Sequence, residues 1–326
     1  MKDGLLELLL KSEEYISGQE IADRLKISRN AVWKAVEKIR REGYNIEAVT
    51  GKGYRLISAD DAFGINSIRE SLSTEWLGHE LVYYDEIDST NNEAKRRADK
   101  GAAEGLLIVA DSQTGGKGRR GRVWQTPPGT NIAMSFLLRP DFSPDMAPML
   151  TLVMAMATAE GIQDVTGTEA GIKWPNDIVL NGRKVVGILT EMTAEPDYIH
   201  DVIIGTGINV NTKEFPLEIR ATATSLFIET GHIWPRAEIT GAVINAFEKY
   251  YEIFRKTDSL AGLSKEYNKK CVNTGKRVRV LDPKGEYEAD ALGINGKGEL
   301  AVKKDDGSLV NVYAGEVSVR GIYGYI

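Results

Sequence analysis

The most unusual segment of this sequence is Gly115–Arg122, which holds four glycines and four cations within eight residues. Glycines let successive backbone amides turn toward an anion, and arginine offers two parallel hydrogen bonds to a carboxylate or phosphate. The segment is not a P-loop, because Lys117 is followed by glycine rather than by serine or threonine. A solvated basic loop, or a second contact with DNA, is the alternative. We favour a lid that orders over an anionic ligand and excludes water.

A second candidate site is the hairpin Ile178–Leu189, whose two-residue turn signal is Asn181–Gly182. Strand alternation places Lys184 on the same face as Val186 and Ile188. A lysine on an apolar strand face must find a partner or reach solvent, because burying an unpaired ammonium is costly. A ligand carboxylate or phosphate would be such a partner, and a solvated lysine at the hairpin end is the alternative.

Two further polar positions are candidates for ligand contact. Asp177 precedes the hairpin and is a candidate Mg²⁺ ligand, since hard carboxylate oxygens suit this ion. Asp88–Asn91 begins a predicted helix, where Ser89 and Thr90 could satisfy free backbone N–H groups or offer hydroxyls to a polar ligand. The residues alone leave both interpretations of this segment open.

Alternating strands and helices must position these residues from about residue 66 onward. Strands are predicted at Leu81–Asp85, Leu106–Ala110 and Asp201–Gly205, and helices over 88–100, at Met149–Ala159 and around Val243–Phe254. The last of these strands is followed by a predicted polar turn, Thr206–Asn211. The sequence therefore predicts a mixed α/β domain with its polar residues at strand and helix ends.

The first sixty residues predict a winged helix-turn-helix. Ser17–Glu20 fits a capping box, with Ser17 as the N-cap and Glu20 reaching back to it. The tight turn Lys26–Ser28 leads into a third helix that Ser28 or Asn30 can cap. Residues 46–57 then predict a small hairpin with a basic tip, which is the wing.

The positive charge of this region is local and suits DNA. Residues 1–58 carry 11 Lys or Arg against 9 Asp or Glu, although the whole chain has a net charge of −6. A helical protein-interaction domain with solvated lysines is the alternative. We expect base readout at the start of the third helix and phosphate contacts from the wing. The candidate DNA-contacting residues are Arg29, Asn30, Trp33, Lys34, Lys52 and Arg55.

Length and composition limit the remaining possibilities. The 326 residues suffice for two or three domains, and 42% hydrophobic with 27% charged residues is ordinary for a globular chain. The single cysteine, Cys271, excludes an internal disulfide and a cysteine-based zinc cluster within one chain. No apolar run is long enough to span a bilayer, and no signal-peptide pattern opens the sequence. We therefore expect a cytoplasmic protein without a membrane partner.

Four segments in a fixed order resemble the biotin–protein ligases: Gln113–Trp124, Lys173–Asp177, Arg183–Leu189 and Gly205–Asn211. With the winged helix in front, the resemblance is to the bifunctional bacterial form, which combines a ligase and a biotin-operon repressor in one chain. It covers nearly all of the sequence. It implies that biotin and ATP, with Mg²⁺, form biotinyl-5′-adenylate, which a lysine of the biotin carboxyl carrier protein then attacks. It also implies binding to operator DNA as a homodimer that holds the adenylate.

The resemblance assigns residues to each part of the ligand, with Lys184 and Arg119 as the catalytic residues. It implies that biotin contacts Ser89, Thr90, Asn91, Gln113, Lys117, Gly118, Arg119 and Lys184. It implies that the adenylate contacts Arg119, Arg122, Trp124, Lys184 and Asn209. Lys117 departs from the family, whose loop has arginine at this position. Lysine keeps the charge but loses the planar fork of arginine.

The expected architecture is α+β and multidomain. A winged helix-turn-helix is expected at 1–60, and a mixed α/β catalytic domain resembling the class II synthetase and biotin ligase fold at 66–258. From about residue 270 short alternating strands separated by turns such as Asn295–Gly296 predict a small SH3-like β-barrel at 270–326, as the family has. The barrel would dock the carrier domain or serve as a structural cap.

Two other functions stay open on the sequence alone. One is a ligand-sensing transcription factor that uses the same pocket without catalysis. The other is a lipoate-attaching relative, because lipoyl ligases resemble this catalytic fold. The glycine- and arginine-rich loop together with Lys184 favours an adenylating enzyme over a sensor. The winged helix and the full loop favour biotin over lipoate.

Overall fold

The computed structural model describes residues 2–12, 14–41, 44–58, 61–282, 285–313, 318–321 and 325–326. Its N-terminal part has the elements α1 (Lys2–Leu10), α2 (Gly18–Leu25), α3 (Arg29–Arg41), β1 (Asn45–Val49) and β2 (Gly53–Ser58). The strands β1 and β2 pair antiparallel as a hairpin. Apolar residues at helical spacing form a separate core here, including Leu5, Leu9, Ile21, Val32, Val36 and Ile39. The predicted helix-turn-helix with a wing is confirmed.

Side-chain caps fix where α2 and α3 begin. The Ser17 hydroxyl accepts a hydrogen bond from the backbone N–H of Glu20 at 3.1 Å, and Ser28 does the same for α3. The other half of the predicted capping box is wrong. The Glu20 carboxylate instead pairs with Arg24 at 2.6 Å, one helical turn further along.

A seven-stranded sheet forms the centre of the molecule. Its strands are β3 (Leu81–Ile87), β4 (Leu107–Gln113), β5 (Asn131–Leu138), β6 (Gly171–Lys173), β7 (Asp177–Leu180), β8 (Arg183–Ala194) and β9 (Ile199–Asn209). Their order in space is β3-β4-β5-β9-β8-β7-β6, with β3 and β4 parallel and the other described neighbours antiparallel. Asn181 and Gly182, both with positive φ, form the predicted tight turn between β7 and β8.

Helices cover both faces of this sheet. They are α4 (Ile65–Ser71), α5 (Thr90–Ala98), α6 (Met149–Thr166), α7 (Leu226–Thr230) and α8 (Arg236–Arg255), with short 3₁₀ turns at Arg119–Gly121 and Pro144–Met146. The helix α6 is apolar around nearly its whole circumference and is buried accordingly. It packs so closely on α8 that a Cβ at Gly161 would lie 2.6 Å from the backbone nitrogen of Val243. On the opposite face of the sheet, Ala94 and Ala98 of α5 pack against Ile108 of β4, Leu137 of β5 and Ile203 of β9.

The predicted turn Thr206–Asn211 is wrong over its first four residues, because β9 continues through Asn209. Two glycines of this strand allow other side chains to approach its backbone closely. A Cβ at Gly205 would lie 2.0 Å from Oδ1 of Asn91, and one at Gly207 would lie 2.3 Å from Nε1 of Trp124. Glycine inside a strand often marks such an approach.

A fully buried ion-pair network ties the start of the central part to α8. The Arg236 guanidinium is 0% exposed and lies 2.7 Å from the Asp61 carboxylate and 2.6 Å from that of Asp111. It also stacks over the Phe63 ring. Asp61 and Phe63 follow the N-terminal part directly in the sequence, so this network fixes the chain where it enters the central fold.

The C-terminal part is a small antiparallel sheet preceded by a short helix. Its elements are α9 (Ser264–Lys270), β10 (Arg277–Leu281), β11 (Tyr287–Ile294), β12 (Leu300–Lys303), β13 (Leu309–Val312) and β14 (Ser318–Gly321). The strand order β13-β12-β11-β10-β14 leaves two edges, so the pairings of the described residues form an open sheet and do not establish the predicted closed barrel.

This sheet shares the main apolar core of the central part. The buried Trp174 indole donates to the carbonyl of Gly298 at 3.1 Å, and Val278 and Val280 belong to the same cluster as α6. The C-terminal β domain is thus built into the central fold. Among the described residues, no helix combines the length and apolarity that crossing a membrane requires.

Candidate active site

The candidate pocket lies over a stretch of sheet that is bare of side chains. Gly187 of β8 pairs directly with Gly207 of β9. Gly205 lies two residues before Gly207 on β9 and therefore on the same face of the sheet. Because these positions carry no Cβ, the Trp124 indole and the Asn91 side chain can lie directly against the backbone. Glycine is therefore required here for close approach, which is also what a flat ligand on the sheet would need.

One end of the pocket is lined by the start of α5. Ser89 is the N-cap residue by its backbone, yet its buried hydroxyl makes no capping hydrogen bond. The backbone N–H and the hydroxyl of Thr90 both donate to Oε1 of Gln113, at 2.8 and 3.1 Å. This end is rich in uncharged donors and acceptors. The absence of a Ser89 cap bond favours ligand contact over a purely structural role for this residue.

Ser135 belongs to this network although the sequence reasoning missed it. Its hydroxyl lies 2.7 Å from the Thr90 hydroxyl and 2.6 Å from Oδ1 of Asn91, and it is fully buried. The Asn91 amide in turn donates to Glu191 at 2.6 Å. The signal available in the sequence was a lone serine within the apolar strand β5. Such a serine needs a buried partner.

The glycine- and arginine-rich loop folds back on itself beside the pocket. The N–H of Gly118 donates to the carbonyl of Arg122 at 2.7 Å, and Lys117 pairs with Val123 as an isolated bridge. Lys117 and Gly118 line the pocket, whereas Arg122 is exposed and its side chain does not line it. Of the loop cations that were predicted to contact the ligand, Lys117 and Arg119 therefore line the pocket and Arg122 does not.

Arg119 is the loop cation that turns inward. Its guanidinium donates to Oδ1 of Asn176 at 2.8 Å and lines the pocket. Burial lowers the pKa of Arg119, and the negative charge of Asp177 opposes that shift. A half-buried guanidinium at the pocket wall is suited to an anionic ligand.

A β-bulge decides where Lys184 points. Ile178 pairs with Val186 and Val179 with Lys184, so Val185 is an extra residue on β8. The prediction that Lys184 shares a face with Val186 and Ile188 is therefore wrong, because a bulge shifts the alternation of side chains. The Lys184 ammonium lies only 3.0 Å from the Cβ position of Gly187 and 5.5 Å from the centre of the Trp124 ring. The bulge thus aims it into the pocket.

Asp177 is the ion-pair partner of this lysine. One carboxylate oxygen lies 2.5 Å from the Lys184 ammonium, and the other accepts a hydrogen bond from the Tyr325 hydroxyl. Burial alone would raise the pKa of Asp177, but Lys184 and Tyr325 outweigh it and lower the pKa, so the carboxylate is charged.

Asp177 as a Mg²⁺ ligand stays a prediction, and in this structure other groups contact its carboxylate. Both of its oxygens already have partners. Within the described residues, no group of three or more His, Cys, Asp or Glu side chains is arranged to hold a metal. Mg²⁺ requires oxygen ligands in near-ideal octahedral geometry. Within the part of the chain that the structure describes, no cluster of side chains thus forms a magnesium site by itself.

Asn209 does not line the pocket. It is buried, donates to the carbonyl of Thr224 at 3.1 Å, and accepts from Asn131 at 3.3 Å. In this arrangement it connects the end of β9 to the segment that follows it. The predicted contact between Asn209 and the adenylate would need a rearrangement of this segment.

The pocket is partly closed by its own residues. The cavity over Gly187 and Gly207 measures about 50 Å³, and a neighbouring one bordered by Arg119, Asn176 and Met192 measures about 200 Å³. Pockets for drug-sized ligands are usually about 300–1,000 Å³. Trp124 lies across the glycine floor, and its buried indole N–H has no hydrogen-bond partner among the described residues. A ligand of that size would have to displace Trp124.

The candidate DNA-contacting residues lie on two adjoining surfaces. Arg29, Asn30, Trp33 and Lys34 are all exposed along α3, and Trp33 is 56% exposed. On the wing, Arg55 pairs with Glu47 at 3.1 Å and stacks over the Tyr15 ring, with Lys52 nearby. Arg55 is therefore held by protein groups that would compete with a phosphate.

Glu47→Gln is expected to strengthen binding to duplex DNA, because it removes the charge that holds Arg55. The slope of log K against log[salt] should become steeper by about 0.9, which corresponds to one added phosphate contact. Fluorescence anisotropy at several salt concentrations measures this slope. The matched control is Glu7→Gln, which removes a carboxylate of α1 that pairs with Lys11 just beyond the helix. Equal slopes for both variants would rule out competition at Arg55.

Comparisons with known proteins agree with this arrangement along the whole chain. The family model "Biotin/lipoate A/B protein ligase family" matches residues 83–209, "HTH domain" matches 3–55, and "Biotin protein ligase C terminal domain" matches 274–320. The "Bifunctional ligase/repressor BirA" of Bacillus subtilis (strain 168) is 40% identical over 322 residues, with 98% of both chains covered. That of Escherichia coli (strain K12) is 28% identical over 324 residues, with 98% of this chain and 99% of its own covered.

A solved structure shares the fold of about three quarters of this chain. The "Biotin protein ligase from Aquifex aeolicus in complex with biotin and ATP" matches with a TM-score of 0.67 and 30% identity. The match covers 74% of this chain and 99% of that one.

Proposed function

The chain belongs to the family of bifunctional biotin–protein ligases and repressors, and we propose that its central pocket activates biotin with ATP and transfers it to a protein lysine. In the first step the biotin carboxylate attacks the α-phosphate of ATP. Biotinyl-5′-adenylate forms and pyrophosphate leaves. In the second step a lysine amine of the biotin carboxyl carrier protein attacks the mixed anhydride, an amide forms, and AMP leaves with the electron pair.

The observation that carries this proposal is the polarity of the pocket along the glycine floor. The Asn91 side chain lies over Gly205, next to Ser89 and to Thr90, which bonds to Gln113, so this end of the floor carries uncharged hydrogen-bonding groups. The Lys184 ammonium lies over Gly187, and Arg119 bonds to Asn176 at the pocket wall. Biotin has the same polarity, with a neutral ureido ring and an anionic carboxylate. We assign the ureido ring to the first end and the carboxylate with the α-phosphate to the second. Cations fixed in a water-poor site stabilise charge that develops between two approaching anions.

The loop Gly115–Arg122 acts in this proposal as the cover of the adenylate. Its glycines allow the backbone to reorder, and Trp124 moves from the floor onto the bound ligand. Exclusion of water protects the mixed anhydride until the acceptor lysine arrives. Lys117, Gly118 and Arg119 contact the ligand, and Arg122 and Asn209 join the site only after this closure.

Arg119→Gly is expected to release the adenylate prematurely. The variant loses a charge-assisted contact, so dissociation of the adenylate should be faster by about ten- to a hundredfold. Rapid filtration of the preformed complex measures that rate, and mass spectrometry measures biotinylation of bystander lysines. Arg120→Gly is the matched control, because Arg120 is exposed and already has the positive φ that glycine accepts. If the two variants release the adenylate equally fast, Arg119 does not retain it.

Magnesium enters the proposal with the nucleotide. Mg²⁺ is commonly held by one or two carboxylates together with substrate phosphates. Since the described residues offer no ready metal site, we propose that Mg²⁺ arrives bound to the ATP polyphosphate.

The N-terminal domain makes the ligase a repressor of biotin genes in this proposal. The exposed face of α3 would read operator bases, and the wing would contact phosphates. We propose that the adenylate-bound form dimerises, which requires the adenylate to favour the dimer over the monomer. We further propose cytoplasmic location, domain limits at 1–60, 66–258 and 270–326, and closure of the C-terminal sheet as an SH3-like barrel.

Exchange of labelled pyrophosphate into ATP tests the ligase function and its substrate. We expect exchange that depends on biotin and on Mg²⁺. Lipoate, tested in parallel at the same concentrations, should give only background exchange. Clear exchange with lipoate and none with biotin would instead identify a lipoate ligase, and no exchange with either would favour a sensor.

A further inference from the structure

The residue Tyr325 reaches from the C-terminal part to Asp177, the ion-pair partner of Lys184. Its hydroxyl donates a hydrogen bond to the oxygen of Asp177 that Lys184 does not use. The two residues are separated by 148 positions in the sequence. Ile326 beside it packs on the tight turn of the hairpin, 3.3 Å from the Cβ position of Gly182. The contact is therefore part of a docked segment.

The ring of Tyr325 also has a defined partner. The ammonium of Lys173 lies 3.5 Å from the ring centre, and Lys173 is only 5% exposed. A buried cation over an aromatic face is a favourable contact that also fixes the orientation of the ring. The Tyr325 hydroxyl is thus held in place by the contact of its own ring with Lys173 and by the packing of the next residue, Ile326, on Gly182.

We propose that Tyr325 is a positioning residue for adenylation, which acts by holding Asp177 and, through Asp177, the ammonium of Lys184. The inference rests on the proposed function only in the role it gives to Lys184. A carboxylate with one partner can rotate and carry the lysine with it. With its second oxygen held by Tyr325, Asp177 keeps Lys184 over the glycine floor. The C-terminal domain thereby completes the catalytic site as well as the fold.

Tyr325→Phe is the direct test, because it removes the hydroxyl and keeps the ring under Lys173. We expect kcat for biotin-dependent pyrophosphate exchange to fall about tenfold, the size of one weakened charge-assisted hydrogen bond. The KM for biotin should not change, and the melting temperature should fall by only a few degrees, so that the variant stays folded in the assay. Tyr267→Phe is the matched control, since Tyr267 is buried and its hydroxyl has no hydrogen-bond partner among the described residues.

A double-mutant cycle shows whether Tyr325 acts through Asp177. In an Asp177→Ala background, which removes the oxygen that accepts from Tyr325, Tyr325→Phe should have no further effect. An equal loss in both backgrounds, or unchanged kcat in the single variant, would overturn the proposal. A fall in melting temperature that accounts for the lost activity would also overturn it, because Tyr325 would then be only structural.

Chemical labelling separates this inference from the proposed function. The rate at which an amine-acylating reagent modifies Lys184 is measured by mass spectrometry, with the exposed Lys249 as the internal reference. Tyr325→Phe should speed modification of Lys184 several-fold and leave Lys249 unchanged, while Tyr267→Phe alters neither. This result stands even if the wild-type protein shows no biotin-dependent exchange. Unchanged labelling of Lys184 would contradict the positioning role whether or not the protein is a ligase.

Discussion

We expect Lys184→Gln to lower the rate of biotin-dependent pyrophosphate exchange by about 10²–10³-fold, the usual cost of losing a fixed donor at a developing charge. The bulge at Val185 aims the Lys184 ammonium at the pocket, and Asp177 holds it at 2.5 Å. Glutamine keeps much of the length of the side chain but carries no charge. Steady-state exchange with biotin and ATP varied separately measures the effect, and Lys249→Gln on the exposed face of α8 is the control.

Lys184→Gln also leaves Asp177 without its cation. A loss of exchange activity caused by lower stability must therefore be distinguished from one caused by the missing ammonium. An unpaired buried charge costs several kcal/mol, about 3–5 in measured cases. The double variant Lys184→Gln, Asp177→Asn removes the stranded charge. We expect it to regain most of the free energy of unfolding and none of the exchange activity. If the double variant recovers exchange, or if Lys184→Gln keeps wild-type exchange, Lys184 is not the catalytic cation.

Arg236→Ala is expected to reduce the free energy of unfolding by about 3–5 kcal/mol. The guanidinium is 0% exposed, and its removal leaves the carboxylates of Asp61 and Asp111 buried without their shared cation. The lost contact with the Phe63 ring adds to this cost. Urea unfolding followed by circular dichroism measures the change.

The matched control lies on the same helix. Arg255 pairs with Glu252 at 3.2 Å, but its side chain is 49% exposed, so Arg255→Ala should cost less than about 1 kcal/mol. Adding Asp61→Asn and Asp111→Asn to an Arg236→Met variant should recover part of the loss, because no charge then stays buried alone. Similar unfolding free energies for Arg236→Ala and Arg255→Ala would refute the role of this network.

The parts of the fold that depend on local chemistry were predictable from the sequence. The Ser17 and Ser28 caps, the turn at Lys26 and the Asn181–Gly182 hairpin each depend on a few neighbouring residues. The apolar periodicity of α3 and the continuous apolar run of α6 likewise follow from which residues can be buried. The candidate site residues on the loop and at the start of α5 were recognisable for the same reason, since their unusual composition is local.

The features that the sequence did not reveal depend on register and on distant contacts. Strict alternation placed Lys184 on the wrong face, because one inserted residue at Val185 reverses the pattern. The prediction that β9 ends at Gly205 is wrong, since the Trp124 ring that needs the space over Gly207 is remote in the chain. Ser135 shows only as a lone serine in the apolar strand β5, and Tyr325 gives no local signal. Their roles arise only when the sheet and the C-terminal part bring them to Asn91 and Asp177.

Direct isolation of the activated intermediate tests the central claim. The full-length protein is incubated with biotin, Mg²⁺ and ATP labelled at the α-phosphate, separated from free nucleotide, and mixed with a biotin carboxyl carrier domain. We predict one biotinyl-adenylate retained per chain, and its loss in a single turnover as AMP is released and the acceptor lysine is biotinylated. Label that is not retained with biotin, or retained adenylate that never passes to the lysine, would contradict a biotin ligase.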